Sequence, residues 1–556
     1  MLIRLAGGRV VAPPDIVDEI RDLWIEDGRI VAPPAEGTPA DRTYDVGGHL
    51  VMAGAIDIHS HIAGGKVNLA RLMMASDHRD TAARAEEAAE RSGSGLVTPS
   101  SFSTGYRYAA MGYTAAFEPA MVASNARATQ LEMTDVPIID KGAYVMLGND
   151  EFLLRRLAAG AGQSEINDYV AWMMRATGAC AVKVVNPGGI SAFKFGHRGL
   201  GLDEKTPLHG IAPRTIVRAL ARAVNELGVP HPLHVHCNDL GVPGNVETTL
   251  KTIAAAEGYP IHLTHAQFHS YGSEGKRHFS SAAARIADAV NRNPNVSIDV
   301  GQIVFGATIT ASGDTQAQFR NRTLAHPKKW LSMDIECDGG CGAVPFRYRD
   351  KNFVNALQWT IGLELFLLVD DPWRIFLTTD HPNGGPFASY PQLVRLLMDR
   401  SFREECLGRI NAAAQKASGL KGLTREYALH EIAIMTRAAP ARSLGLADRG
   451  RLAPGAAADI AVYREGAPLE EMLAEPAHVF KAGVEVARRG KILAAPAGAV
   501  QTVRPDYDRQ IETHLRRFFA DHMTVAFEHF PLAESEILDA GGRLETRPCR
   551  AAGAAP

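Results

Sequence analysis

Cysteine is scarce: Cys180, Cys237, Cys337, Cys341, Cys406 and Cys549 are the only six in 556 residues, and they are scattered. That argues against a disulfide framework and fits a reducing cytoplasm. No group of them has iron–sulfur spacing, which disfavours an electron-transfer role. Cys337-x-x-x-Cys341 lacks a second Cys or His pair at finger-like spacing and reads as a loop. No apolar run reaches the roughly 18 residues of a membrane span; the best stretch, 363–368, contains Glu364 and closes at Asp370-Asp371. The first residues lack a basic region followed by an apolar one, so no secretory signal is expected. With a net charge of −3, the chain has no excess of basic residues of the kind nucleic-acid binding requires. Neither nucleic acid nor membrane is expected as a partner. A dinucleotide fingerprint is missing too: Gly188-Gly189 reads as a turn, because no G-x-G-x-x-G opens a helix there.

What is present is an ordinary globular composition, 46% hydrophobic and 22% charged. The middle of the chain alternates apolar strands with helical patterns, the signature of a parallel sheet. Candidate strands fall at 54–61, 113–118, 142–147, 180–186, 232–238, 260–265, 296–304 and 375–380. Eight such units predict an α/β fold, a (β/α)8 TIM-like barrel over 53–440, with long inserts after the first and seventh strands. Residues 1–52 and 441–500 read as short strands, with a hairpin signal at Asp27-Gly28. They predict a small composite β-sandwich domain built from both chain ends. Residues 501–556 form a polar, partly helical C-terminal extension ending in an Ala/Pro tail.

The chemistry gathers at the predicted strand ends, where this fold builds its sites. On an extended strand Asp57, His59 and His61 face one way, and two neutral imidazoles so placed can share a metal. Lys183 lies inside the apolar run Ala181-Val182-Lys183-Val184-Val185, where an ammonium is costly to bury. A lysine of lowered pKa reacts with CO2 to give a carbamate, whose two oxygens can bridge two cations. His234, His236 and Asn238 share a face of the fifth strand, while His262 and His265 fall on opposite faces of the sixth. His236 and His265 terminate their apolar runs and are taken as ligands; His234, His262 and His269 are left as supporting or substrate-contacting groups. His231, before Pro232, reads as structural. Asp380 ends the eighth strand and can both ligate a cation and take a proton from bound water. The predicted metal set is therefore His59, His61, Lys183, His236, His265 and Asp380, with Asp380 as the catalytic acid/base. Such a site suits hydrolysis of an unactivated C–N bond.

The whole pattern resembles the amidohydrolase superfamily, with Pro454-Gly455-Ala456-Ala457-Ala458-Asp459 as a further shared segment. Longer stretches are similar to the A subunits of formylmethanofuran dehydrogenases and, nearer still, of bacterial formyltransferase/hydrolase complexes. They are 183–189, 234–238, 263–272 and 379–385. Within and beside them Asn238, His269, Tyr271, His381, Asn383, His234 and His262 are the candidate substrate contacts. The resemblance implies two divalent metals, zinc foremost, an N6-carboxylysine at Lys183, and methylofuran or methanofuran as carrier. It implies hydrolysis of the carrier's N-formyl amide to formate and the free furan-methylamine, reversed in archaeal relatives. It also implies partners in one-carbon metabolism: the other subunits of such a complex, including its formyltransferase subunit. Two alternatives stand beside it: a hydantoinase- or dihydroorotase-like cyclic amidohydrolase, and a non-catalytic scaffold subunit.

Overall fold

The computed structural model describes residues 1–74, 77–78, 95–194, 199–312 and 342–550. Cys337, Cys341 and the tail at 551–556 lie outside the described residues. All eight expected barrel strands are present: β1 (Ala55–Asp57), β2 (Tyr113–Met121), β3 (Asp140–Leu147), β4 (Ala181–Val185), β5 (Leu233–His236), β6 (Ile261–Leu263), β7 (Val296–Asp299) and β8 (Ile375–Phe376). Each pairs in parallel with the next. A parallel bridge between Ser60 and His381 joins the first strand to the last, with the His61 amide donating to the His381 carbonyl at 2.8 Å. Helices such as Gln163–Thr177, Pro213–Glu226 and Ala283–Arg292 cover the outside. The strands read as near-continuous apolar runs because both faces of such a sheet are buried.

Register decides which side chains meet. Lys183 on β4 stands opposite His234 on β5, His234 opposite His262 on β6, and His262 opposite Ser297 on β7. One row across four strands therefore holds a lysine, two histidines and a serine. His236 lies two residues further along β5, nearer the C-terminal mouth.

The chain ends build a nine-stranded sheet running from Lys491–Ile492 through Ile460–Arg464, His49–Ala53 and Leu2–Ala12 to Arg29–Val31. Its own apolar core includes Leu5, Val10, Ile25, Ile460 and Phe480. Asp27 and Gly28 turn the hairpin at φ 48° and 77°, the left-handed pair that a two-residue turn needs. Beyond residue 498 the chain returns to the barrel: Ala499–Val503 pairs in parallel with β3, and Arg543–Arg547 lies beside it.

The two inserts meet. Helix Gly65–Met73 packs on the antiparallel pair Gly306–Ser312 and Gly342–Tyr348, with Ala70, Val97 and Ile309 in a small core. The Tyr348 hydroxyl donates to the Asn383 carbonyl at 3.1 Å, which ties this hairpin to the loop after β8.

Candidate metal centre

β1 stops at Asp57, and the chain turns there for a visible reason. One Asp57 oxygen accepts from the His59 amide at 3.0 Å, the other from the hydroxyls of Tyr108 and Tyr390 at 2.6 and 2.5 Å. Burial pushes this carboxyl up to about 6. The turn delivers both following imidazoles to Asp380, whose Oδ1 lies 2.8 Å from His59 Nε2 and 3.3 Å from His61 Nε2. Their far nitrogens are held. His61 Nδ1 lies 2.9 Å from Glu118 Oε1. His59 Nδ1 lies 2.5 Å from Thr264 Oγ1, 3.1 Å from His234 Nε2 and 3.3 Å from Asp299 Oδ2. Holding Nδ1 leaves Nε2 free to ligate, the usual division of labour in a metal-binding histidine.

A second group forms opposite. His236 Nδ1 lies 3.1 Å from His265 Nε2, and His269 lies beside both rings. His265 sits at φ 35° and Asp380 at φ 52°. Non-glycine residues in this region are strained, and such strain gathers at functional sites. Gly301 leaves room for the bend: a Cβ there would come within 2.4 Å of the His265 Cβ.

Lys183 is buried without an ion-pair partner among the described residues. Burial pushes its ammonium down to about 8, against the pull of Asp380. Burial also holds His236 and His269 well below the usual histidine range and takes His265 to about 3, so these rings are neutral, the form that binds metals. Burial opposes charge on Asp299 and Asp380 as well. His59 outweighs it on both, helped by hydrogen bonds from His262 on Asp299 and from His61 on Asp380, and keeps both carboxylates ionised.

The donor set fits divalent metal. In a tetrahedral zinc site with bonds of about 2.0–2.1 Å, neighbouring ligand atoms sit about 3.3 Å apart. The separations of 2.8, 3.1 and 3.3 Å given above cluster near that edge length. His59 Nε2 is buried and makes no aligned hydrogen bond among the described residues, in spite of its closeness to Asp380. His59, His61 and Asp380 form one group able to hold an ion; His236, His265 and His269 form another.

The candidate substrate contacts divide. Asn383 donates to Asp380 Oδ1 at 3.0 Å, and Asn238 donates to Asn186 Oδ1 at 2.6 Å, just past β4. His381 accepts at Nδ1 from the Phe387 amide at 3.3 Å. His234 and His262 lie behind the mouth: His234 links His59 to His231, and His262 joins Asp299 at 3.1 Å to Ser297 at 2.9 Å. Tyr271 is turned elsewhere, its hydroxyl accepting from Gln358 at 2.9 Å and its ring packing on Phe279. Three supporting groups went unmarked in the sequence: Glu118, Thr264 and Asp299. Glu118 and Asp299 carried the same signal as Lys183, an ionisable side chain inside an apolar strand.

The family follows from this fold and site together. The chain belongs to the amidohydrolase family, whose model matches residues 42–494, and so to a class of metal-dependent hydrolases with a divalent metal site. Among its relatives is the A subunit of the formyltransferase/hydrolase complex Fhc of Methylorubrum extorquens, 43% identical over 557 residues, covering 99% of this chain and all of that one. Protein FwdA of Methanocaldococcus jannaschii is 37% identical over 540 residues, covering 93% and 94%. A chain of the M. extorquens FhcABCD crystal structure, determined with methylofuran, superposes with a TM-score of 0.93 at 42% identity over 99% of this chain and all of that one.

Proposed function

We propose that this chain hydrolyses the N-formyl amide of a furan-methylamine carrier of the methylofuran or methanofuran type, giving formate and the free amine. We place it as the A subunit of a cytoplasmic formyltransferase/hydrolase assembly. The observation that carries the substrate is the full-length match to the Fhc A subunit, a protein of that complex.

His59, His61 and Asp380 would hold one ion, His236 and His265 the other, with zinc the natural choice for imidazole and carboxylate donors. Lys183, as its carbamate, would add an anionic donor: at a pKa of about 8 a usable fraction is free amine at neutral pH. When bound, the metal pair supplies a water of pKa about 7 and polarises the formyl oxygen. Asp380 would take a proton from the attacking water on its carboxylate. As that water adds to the formyl carbon and the C–N bond breaks, Asp380 would return the proton to the departing nitrogen, leaving formate and the free amine. Glu118 and Asp299 keep the His61 and His59 rings oriented throughout. Asn383, bonded to Asp380, and Asn238, beside β4, would meet the substrate.

Formate release by the purified complex tests the reading, with formyl-methylofuran, a hydantoin and a dihydropyrimidine offered in parallel. Formate from the first and no turnover of the other two is expected. Turnover of the cyclic amides alone would assign the site to the hydantoinase-like alternative, and no turnover with any would assign the chain to scaffolding.

A further inference from the structure

We propose that His269 is a third imidazole ligand to the second cation, completing with His236 and His265 a cradle distinct from that of His59, His61 and Asp380. The inference rests on the two-metal reading above and adds a residue to it. Ala266–His269 is a tight 3-10 turn directly after His265, and it folds its last residue back beside His265. The His269 ring centre lies 5.3 Å from those of both His236 and His265, at interplanar angles of 71° and 25°. One ligating atom from each of the three lies within 4.8 Å of the others.

Both ring nitrogens of His269 are buried and have no hydrogen-bond partner among the described residues. A folded protein rarely leaves such an atom unmet, and here two sit on one ring. A metal, a substrate atom or an ordered water can meet them. Exposure separates the first two. His61, His236, His265 and Asp380 retain 3–4% exposure at the mouth, whereas His269 retains 1%. A substrate entering from the mouth meets the ligands first; an ion seated among them reaches His269 directly.

The two cradles then differ in charge. The first includes an anionic carboxylate, while the second offers three neutral imidazoles. A second ion would accordingly draw its neighbouring negative charge from Lys183 as its carbamate.

The test is the metal content of the purified complex carrying His269→Gln, with the second-site affinity for zinc read by chelator competition. Two ions per chain are expected in the parent. One is expected in the variant, with second-site affinity lower by about 100-fold or more, beyond the usual loss of an outer-sphere partner. Two ions held at parental affinity would overturn the role of His269 and leave the two-metal reading intact. One ion or none in the parent would overturn that reading itself. Should His269→Gln fail to assemble, a zinc-loaded crystal of the parent decides. A His269 nitrogen within about 2.2 Å of an ion supports the assignment, and a clear gap beyond bonding distance overturns it.

Discussion

Two buried polar clusters sit at opposite ends of the barrel, and they are built on opposite logic. At the N-terminal end, where β3 begins, Asp140 pairs with Lys481 at 2.8 Å and Arg449 at 2.9 Å, and Asp459 pairs with the same two cations at 2.7 and 3.2 Å. Among these four residues no buried polar atom lacks a partner within the described structure. The cluster welds the composite sheet to the barrel and is complete as it stands. At the C-terminal end, His59, His265 and His269 keep ring nitrogens without hydrogen-bond partners among the described residues, and His265 and Asp380 hold strained backbone. A closed charge balance marks a joint; an open one marks a place for something else. Asp140, Asp459 and Lys481 are buried nearly as deeply as the site residues, so burial alone would not have told the two apart.

The contrast can be broken from either end, and the largest effect belongs to the mouth. Asp380→Asn retains an oxygen donor but loses the base, so formate release falls by about 10^3-fold or more, near the upper range for general acid–base catalysis. Metal content stays at the parental value; unchanged turnover would remove Asp380 from the mechanism.

At the other end Asp140→Asn leaves Lys481 and Arg449 with a broken partner and lowers unfolding free energy by about 3 kcal/mol, with metal content untouched. Lys481 and Arg449 hold the Asp140 carboxyl well below its ordinary value, against burial. Its contribution is therefore present above the unfolded pKa of 3.8 and lost as pH falls through the depressed folded value. Denaturation curves of parent and variant should converge in acid; a gap independent of pH would refute the electrostatic account.

A smaller effect comes from beneath the mouth. Asp299 accepts from the His265 amide at 3.0 Å and from Thr378 at 2.7 Å while facing His59 and His262. Asp299→Asn should weaken metal binding by about 10–100-fold, measured by chelator competition. Retained affinity would show that Asp299 serves packing alone.

The smallest effect is kinetic. With Lys183 at about 8, roughly a tenth is free amine at pH 7. At fixed dissolved CO2, metal loading of the stripped complex should quicken about tenfold as pH rises past that value. A flat profile would argue against carbamate formation as the limiting step.

All eight barrel strands were legible, because a parallel strand buried on both faces writes itself as a short apolar run. Their ends were less so. The first was expected to reach His61, yet it stops at Asp57, where a side chain and two distant tyrosines bend the chain. That bend is tertiary and leaves no local mark. Among the six metal candidates, His236, His265 and Asp380 stood out as polar residues closing apolar runs, Lys183 as a charge inside one, and His59 and His61 by strand alternation, whereas Glu118 and Asp299, equally buried, were passed over. The sequence shows that a charge is costly in a strand, but only the register shows what it faces. Ala499–Val503 was placed at the junction of the composite domain and the extension. It pairs with β3 instead, through backbone hydrogen bonds to which its side chains are indifferent.

The most direct test is anomalous scattering at the zinc edge from crystals of the assembled complex. Two peaks are expected at the barrel mouth, one within bonding distance of His59, His61 and Asp380, the other of His236 and His265, with Lys183 between them. A single peak away from these residues, or none, would contradict the account.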